Sequence, residues 1–136
     1  METAHTIYLG DLRTKITHIL SGCELITDAP PDNQGKGESF SPTDLASVSL
    51  ASCMLTIMGI AARTHGFNID GTEVSTTKIM ASNPRRIAEI QVEFFFPAIK
   101  YTDKEKAIIE KSAYTCPVYL SLHPDLVKTV TFHFQD

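Results

Sequence analysis

The chain has 136 residues, a formal net charge of −4 at pH 7, 43% hydrophobic residues and 21% charged residues. This composition is ordinary for a soluble globular protein, and the length predicts one domain over residues 1–136. Lysines and arginines are scattered along the chain, which argues against a nucleic-acid surface, because such a surface needs clustered cations.

The first forty residues predict strands and a loop. Ile7–Leu9 reads as a short strand, and residues 15–20 and 23–27 alternate between polar and apolar around Ser21-Gly22. A glycine in a two-residue turn at that place is typical of a β-hairpin. The stretch APPDNQGKGESF, residues 29–40, is rich in proline, glycine and asparagine and predicts a long loop.

A long helix is predicted next. Ser41 is a suitable N-cap, Pro42 is tolerated at the first helical position, and Asp44 places a carboxylate in the first turn. Gly66 supplies a C-terminal stop. The helix is therefore expected to cover about residues 42–65.

The second half of the chain alternates strands with short helices. Thr102 and Glu105 form a capping-box pattern at the start of a helix, and Cys116-Pro117 has the pattern of an N-cap followed by proline. The predicted elements are strands at 72–80, 87–96 and 127–134 and helices at 102–114 and 117–122. This order predicts an α+β domain.

Residues 45–62 of the long helix carry no charged side chain, which reaches the lower limit for a membrane span. However, small and hydroxyl residues dominate over leucine, and the strands need a helix to cover them. The interpretation preferred here is a helix buried on all sides, with no membrane contact. Because one small sheet covers only one face of a helix, we expect a homodimer with this helix near its centre.

The chain has three cysteines, an odd number, and its N-terminal segment METAHTIYLGD does not have the pattern of a secretory signal. We therefore expect a reducing cytoplasm and free thiols. Cys53 lies about three turns inside the long helix, so we expect it to be buried and unreactive unless a cation reaches it. Cys116, at an N-cap, is expected to favour its thiolate form. Each could also be a small buried hydrophobic residue, which is the interpretation preferred for Cys23.

The stretches YLGDLR, SPTDLASVSLASC and CPVYLSLHP, in this order, resemble the OsmC/Ohr family of thiol-dependent peroxidases. The resemblance covers nearly the whole chain. It implies an α+β fold of antiparallel sheets with a long central helix, and an intertwined homodimer with active sites at the subunit interface. The activity it implies is reduction of organic hydroperoxides without a cofactor or metal.

The resemblance also implies residue roles. Cys53 matches the peroxidatic cysteine, which becomes a sulfenic acid, and Cys116 matches the resolving cysteine, which forms a disulfide with it before an external dithiol reduces both. Arg13 matches the arginine that stabilises the thiolate. Family members carry a glutamate that orients this arginine, where this chain has Thr43 followed by Asp44. Asp44 is expected either to hold Arg13 or to serve only the helix N-terminus.

Other functions remain open at this point. The missing glutamate favours an alternative, a non-enzymatic OsmC-like dimer that binds a small apolar ligand in a stress response. The five histidines show no metal-ligand spacing with the cysteines. Phe94, Phe95 and Phe96 fit either a strand with two inward side chains or the lining of an apolar pocket.

Overall fold

The computed structural model describes residues 1–135. They form two compact units, Met1–Ala46 and the residues from Ser47 onward. The prediction of a single domain stays a prediction, and each unit is described by itself.

The first unit is a three-stranded antiparallel sheet in the order β1-β2-β3. The strands are β1 Ala4–Gly10, β2 Arg13–His18 and β3 Glu24–Asp28. The predicted hairpin is confirmed, but the two-residue turn is wrong. The His18 amide donates to the Cys23 carbonyl at 2.8 Å, so a four-residue loop, 19–22, joins β2 to β3. Within this unit the loop after β3 contains only a short 3-10 turn, Pro31–Asn33.

The long helix α1 runs from Pro42 to Thr64, as predicted. It ends in a Schellman motif, because the Gly66 amide donates to the Arg63 carbonyl at 3.3 Å and the Phe67 amide donates to the Ala62 carbonyl at 3.0 Å. Gly66 adopts φ +80°, which a glycine accepts without strain.

The second unit contains a sheet in the order β4-β5-β6. Its strands are β4 Glu73–Ala81, β5 Arg86–Phe95 and β6 Val127–His133. β4 and β5 are antiparallel, whereas β5 and β6 are parallel, so this sheet is mixed rather than purely antiparallel as expected. A parallel pairing needs a long crossover connection, and the two helices between β5 and β6 supply it.

Those two helices are α2, Asp103–Ala113, and α3, Pro117–Ser121. Thr102 caps α2 through the predicted capping box with Glu105. Cys116 is the N-cap of α3, with Pro117 at the first helical position, also as predicted.

The core of the second unit is formed by α1, β5, α2 and the cysteine at the start of α3. Phe94 and Phe96 are fully buried, and Phe95 between them is 40% exposed. Phe94 and Phe96 thus belong to the core. The other buried apolar residues are Leu50, Ala51, Met54, Met58, Ala62, Ile69, Ile90, Val92, Tyr101, Ile109, Ala113 and Cys116.

α1 is long and apolar enough to cross a membrane by length and composition alone, a test that the core helix of a soluble protein also passes. One face of α1 contributes Leu50, Met54 and Met58 to the core. The opposite face is exposed in the chain, with Ile60 at 56% exposure. A single chain therefore does not bury the helix on all sides.

Candidate active site

Two thiols from distant parts of the sequence meet in the second unit. Cys53 lies in the middle of α1, Cys116 lies at the N-cap of α3, and Cys53 packs against the core cluster that includes Cys116. Both thiols are free. The two thiols are close enough for Cys53 to raise the pKa of Cys116.

The environment of Cys116 differs from the expectation. Its Sγ accepts a hydrogen bond from the Tyr119 amide at 3.4 Å, as an N-cap side chain should, and this bond favours the thiolate. Complete burial and the neighbouring Cys53 side chain outweigh it and raise the pKa of the Cys116 thiol. The prediction that Cys116 favours its thiolate is therefore wrong.

Cys53 is half-buried rather than buried. It contacts the core cluster of the second unit on one side, next to the fully buried Met54, whereas its other neighbour, Ser52, is exposed. Of these two cysteines, Cys53 is thus the more exposed.

Aromatic side chains hold α3 in place behind Cys116. The Tyr119 ring packs edge-on against Tyr114 at 5.4 Å between centroids, and Tyr114 packs against Phe132 of β6 at 6.3 Å. Lys128 Nζ lies 5.2 Å from the centre of the Tyr119 ring. These contacts fix the helix whose first amides surround the Cys116 sulfur.

Arg13, in the first unit, is held by two carboxylates. Its Nε donates to Asp28 Oδ1 at 2.7 Å, and its Nη2 donates to Asp28 Oδ2 at 2.8 Å and to Glu38 Oε1 at 2.7 Å. These bonds raise the pKa of Arg13 above its already high value. Arg13 in turn holds the pKa of Asp28 below its usual range, and the Glu38 amide adds to this effect.

Sequence reasoning missed Asp28 and Glu38. Asp28 lies directly opposite Arg13 in the β2–β3 register. Glu38 is brought back by the loop after β3, which closes where the Asp28 amide donates to the Phe40 carbonyl at 3.0 Å. Gly37, at φ +64°, makes the turn immediately before Glu38. The signal for Asp28 is the strand register, because the correct alignment of β2 with β3 places Asp28 opposite Arg13.

Asp44 takes part in a capping box at the start of α1. Its Oδ2 accepts from the Ser41 amide at 3.0 Å, and its own amide donates to Ser41 Oγ at 3.0 Å. The Arg13 guanidinium donates its hydrogen bonds to the carboxylates of Asp28 and Glu38, which lie before α1 in the chain.

Cys23 corrects another expectation. It lies before β3 rather than inside it, and it is exposed. It is therefore not a small buried hydrophobic residue. Among residues 1–135, no group of three or more His, Cys, Asp and Glu side chains is placed to hold a metal ion.

The OsmC-like protein family matches residues 35–130 of the chain, which is more than half of its length. The chain belongs to the OsmC-like protein family. The comparison with curated proteins gives no match. Among solved structures, this OsmC-like protein is similar to a candidate osmotic stress induced and detoxification response protein from Psychrobacter arcticus 273-4. The two are 51% identical with a TM-score of 0.94, over 98% of this chain and 96% of the other.

More distant structures share the fold. A Legionella pneumophila protein described as an organic hydroperoxide resistance protein OsmC is 12% identical, with a TM-score of 0.74 over 97% of both chains. An organic hydroperoxide resistance protein from Elizabethkingia anophelis is 14% identical, with a TM-score of 0.75 over 98% of this chain and 97% of the other. These similarities confirm the predicted OsmC/Ohr fold.

Proposed function

We propose that this OsmC-like protein is a thiol-dependent peroxidase that reduces organic hydroperoxides, with Cys53 as peroxidatic and Cys116 as resolving cysteine. The observation that carries the proposal is that these two free thiols, far apart in sequence, lie in one place: Cys53 packs against the core cluster that contains Cys116, and it raises the pKa of Cys116. Two proteins of the same fold are described as organic hydroperoxide resistance proteins, which supports the substrate class.

The environments of the two thiols support this assignment of roles. The raised pKa of Cys116 keeps its proton on the sulfur at neutral pH, so Cys116 is a poor first nucleophile. A protonated Cys116 that hydrogen-bonds to Cys53 stabilises negative charge on the Cys53 sulfur. Cys53, which is half-buried, is then the thiolate that meets the peroxide.

The proposed reaction has three steps. The Cys53 thiolate attacks one oxygen of the hydroperoxide, the O–O bond breaks, and the alkoxide takes up a proton and leaves as an alcohol. Cys53 is thereby oxidised to a sulfenic acid. The Cys116 sulfur then attacks Cys53 Sγ, the S–S bond forms, and the hydroxyl leaves as water with the proton of Cys116. An external dithiol reduces the disulfide and restores both thiols.

We further propose that the Arg13 guanidinium stabilises the Cys53 thiolate. Arginine keeps its charge in every environment, and the Asp28 and Glu38 carboxylates fix the orientation of this guanidinium.

We also propose that the protein acts as a homodimer in the reducing cytoplasm. Large apolar side chains of β1 are exposed in the single chain, with Tyr8 at 65% and Leu9 at 51%, and Ile60 on the outer face of α1 is 56% exposed. A second copy that covers these side chains removes them from water, which favours association.

The kinetic test uses purified protein, cumene hydroperoxide and dithiothreitol. We expect the protein to consume the hydroperoxide and Cys53→Ser to abolish this. With dithiothreitol left out, Cys116→Ser should consume one equivalent of hydroperoxide and stop at a sulfenic acid that a dimedone-type reagent traps, because no thiol is present to reduce it. Cys23→Ser is the matched control, because Cys23 is exposed and outside the thiol pair, and it should keep full activity. Consumption that is equally fast after Cys53→Ser contradicts the proposal.

A second candidate function is binding of a small apolar ligand without chemistry. The exposed apolar side chains of the first sheet favour it. In that case hydroperoxide is not consumed, and Cys53→Ser leaves the binding of an apolar fluorescent probe unchanged.

A further inference from the structure

We infer that a cavity at the start of β5 and β6 binds a small organic carboxylate with an apolar body, and that Arg86 and His123 hold the carboxylate. The cavity has a volume of about 570 Å³, which is within the range of small-molecule sites. It belongs wholly to the second unit, and neither Cys53 nor Cys116 lines it. The inference is therefore independent of the proposed peroxidase function.

The cavity lies where β5 and β6 separate. Pairing between these parallel strands begins at Glu89 and Val127, so residues 86–88 of β5 have no partner in β6. On its other side β5 pairs with β4, and the register of that pairing shifts at Ala88, as in a β-bulge. Bulges bend a strand and are frequent beside functional sites. The strand order thus leaves an open space between the first residues of β5 and the segment that leads into β6.

The Arg86 guanidinium is held in place and has unused donors. Its Nη1 donates to the Pro84 carbonyl at 2.8 Å and to the Ser82 carbonyl at 3.3 Å, which fixes the group against the turn between β4 and β5. Among residues 1–135, no acceptor bonds to its Nε or Nη2. These two nitrogens form the edge of a guanidinium that pairs with both oxygens of a carboxylate, as the same edge of Arg13 does with Asp28.

His123 adds a third donor. The Asp125 amide donates to His123 Nδ1 at 3.0 Å, and because an amide nitrogen always carries its hydrogen, Nδ1 is the acceptor. The proton of the neutral ring is then on Nε2, which has no acceptor among the described residues. The Leu126 amide closes the turn by donating to the His123 carbonyl at 3.0 Å. The imidazole is thus oriented by its own turn and keeps Nε2–H for a ligand.

Apolar side chains form most of the remaining lining, namely Ile87, Ala88, Leu126 and Val127. Val127 is 54% exposed in the chain, so an apolar ligand that covers it removes this surface from water. The apolar lining therefore favours a ligand with a hydrocarbon body.

The charges of the lining favour a monoanion. Arg86 supplies a permanent positive charge, whereas Asp125 supplies a negative one. A ligand with two or more negative charges, such as a phosphate ester, gains one attraction and meets repulsion from Asp125. A carboxylic acid with a medium-length hydrocarbon chain matches the donors, the charge and the apolar lining together.

The experiment titrates isotope-labelled protein with octanoate, up to about 10 mM, and follows the backbone amide signals by NMR. We expect the signals of Ala88 and Val127 to shift with a dissociation constant of about 1 mM, a realistic affinity for a ligand of this size. Octanamide has the same shape without the charge. It should bind about tenfold more weakly, because it loses the charge-assisted hydrogen bonds to Arg86.

Three variants test the assigned residues. Arg86→Gln should raise the dissociation constant for octanoate about tenfold, since it removes the two-donor edge and its charge. Arg85→Gln is the matched control, because it removes the same charge from the adjacent position, which does not line the cavity, and it should change the constant by less than about twofold. His123→Ala should raise the constant about threefold, the effect of one neutral hydrogen bond. The dispersion of the other amide signals shows that each variant is folded.

Several results would overturn the inference. These are an absence of shifts at Ala88 and Val127, equal binding of octanamide and octanoate, and an equal loss of affinity in Arg85→Gln and Arg86→Gln. Shifts confined to β1 would assign octanoate binding to the exposed apolar side chains of that strand instead. Inorganic phosphate is the third probe, and the carboxylate assignment is wrong if phosphate shifts the cavity signals and octanoate does not. Hydroperoxide is not used in these titrations, so failure of the peroxidase proposal leaves their outcome unchanged.

Discussion

The two units of the chain bury different kinds of residue. Within Met1–Ala46 the buried residues are polar, namely Thr27, Asp28 and Ser41, and the large apolar side chains of β1 are exposed. From Ser47 onward the buried residues are almost all apolar and form one continuous core. The first unit is thus organised by hydrogen bonds and ion pairs, and the second by hydrophobic burial.

This difference separates two tasks that the proposed chemistry requires. The thiol pair is held by a core that a single chain forms by itself, so its geometry is set locally within the second unit. The charged cluster of Arg13, Asp28 and Glu38 belongs to the first unit, whose strand β1 exposes large apolar side chains. Covering that sheet is the task that the proposed dimer performs.

The largest loss of stability is expected from a cavity in the core of the second unit, which tests whether hydrophobic burial organises that unit. Phe94→Ala should lower the free energy of unfolding by about 3–5 kcal/mol, because it removes a fully buried ring that stacks on Phe132 at 5.5 Å. Phe95→Ala is the control from the adjacent position, 40% exposed, and should cost no more than about 1 kcal/mol. Urea unfolding measures both. Equal losses would show that the core does not depend on the inward face of β5.

A smaller effect is expected at the start of α1. Asp44→Ala removes half of the capping box and should cost about 1 kcal/mol of stability. Because the fork on Arg13 is supplied by Asp28, kcat/KM for hydroperoxide should stay within about twofold of the parent. A tenfold loss of kcat/KM in folded Asp44→Ala protein would instead assign Asp44 the role of the missing glutamate.

The smallest effect is a change in how stability depends on pH. The pKa of Cys116 is raised by burial and by Cys53, so the folded chain keeps the proton after an unfolded thiol, at about pH 8.5, has lost it. This contribution is present below that pH and is lost as the pH rises towards the folded pKa. Urea unfolding in reductant should show wild type losing stability relative to Cys116→Ser above about pH 8.5. If wild type instead gains stability relative to Cys116→Ser as the pH rises, the folded chain stabilises the Cys116 thiolate and the account is contradicted.

Local signals in the sequence were sufficient for the helices. Ser41-Pro42 and Gly66 bracket α1, Thr102 with Glu105 starts α2, and Cys116-Pro117 starts α3. Each signal satisfies backbone amides or carbonyls within a few residues, so no distant part of the chain is needed to interpret it.

The charged cluster could not be predicted because it depends on register. A two-residue turn at Ser21-Gly22 pairs Lys15 with Asp28, whereas the four-residue loop found in the structure pairs Arg13 with Asp28. An error of two residues in the turn thus changes the partner of the buried carboxylate. Glu38 lies 25 residues after Arg13 in the sequence, on the long loop that follows β3, and no local pattern predicts that this loop brings it to Arg13.

The state of Cys116 could not be predicted for a similar reason. Its N-cap position is local, but its burial and its contact with Cys53 come from packing between α3 and α1. The same holds for β6, which pairs with β5 in parallel after two intervening helices. Desolvation and strand order depend on distant residues, and a single sequence does not show where these come together.

The central claim is that Cys53 and Cys116 form one redox pair, and one measurement tests it most directly. Reduced Cys23→Ser protein is treated with one equivalent of cumene hydroperoxide, and its non-reduced peptides are analysed by mass spectrometry. The account predicts one cross-linked peptide pair that joins Cys53 to Cys116 and has lost two hydrogens, and dithiothreitol should reverse it. A protein in which both thiols stay reduced, or in which Cys53 is oxidised without a bond to Cys116, contradicts the account.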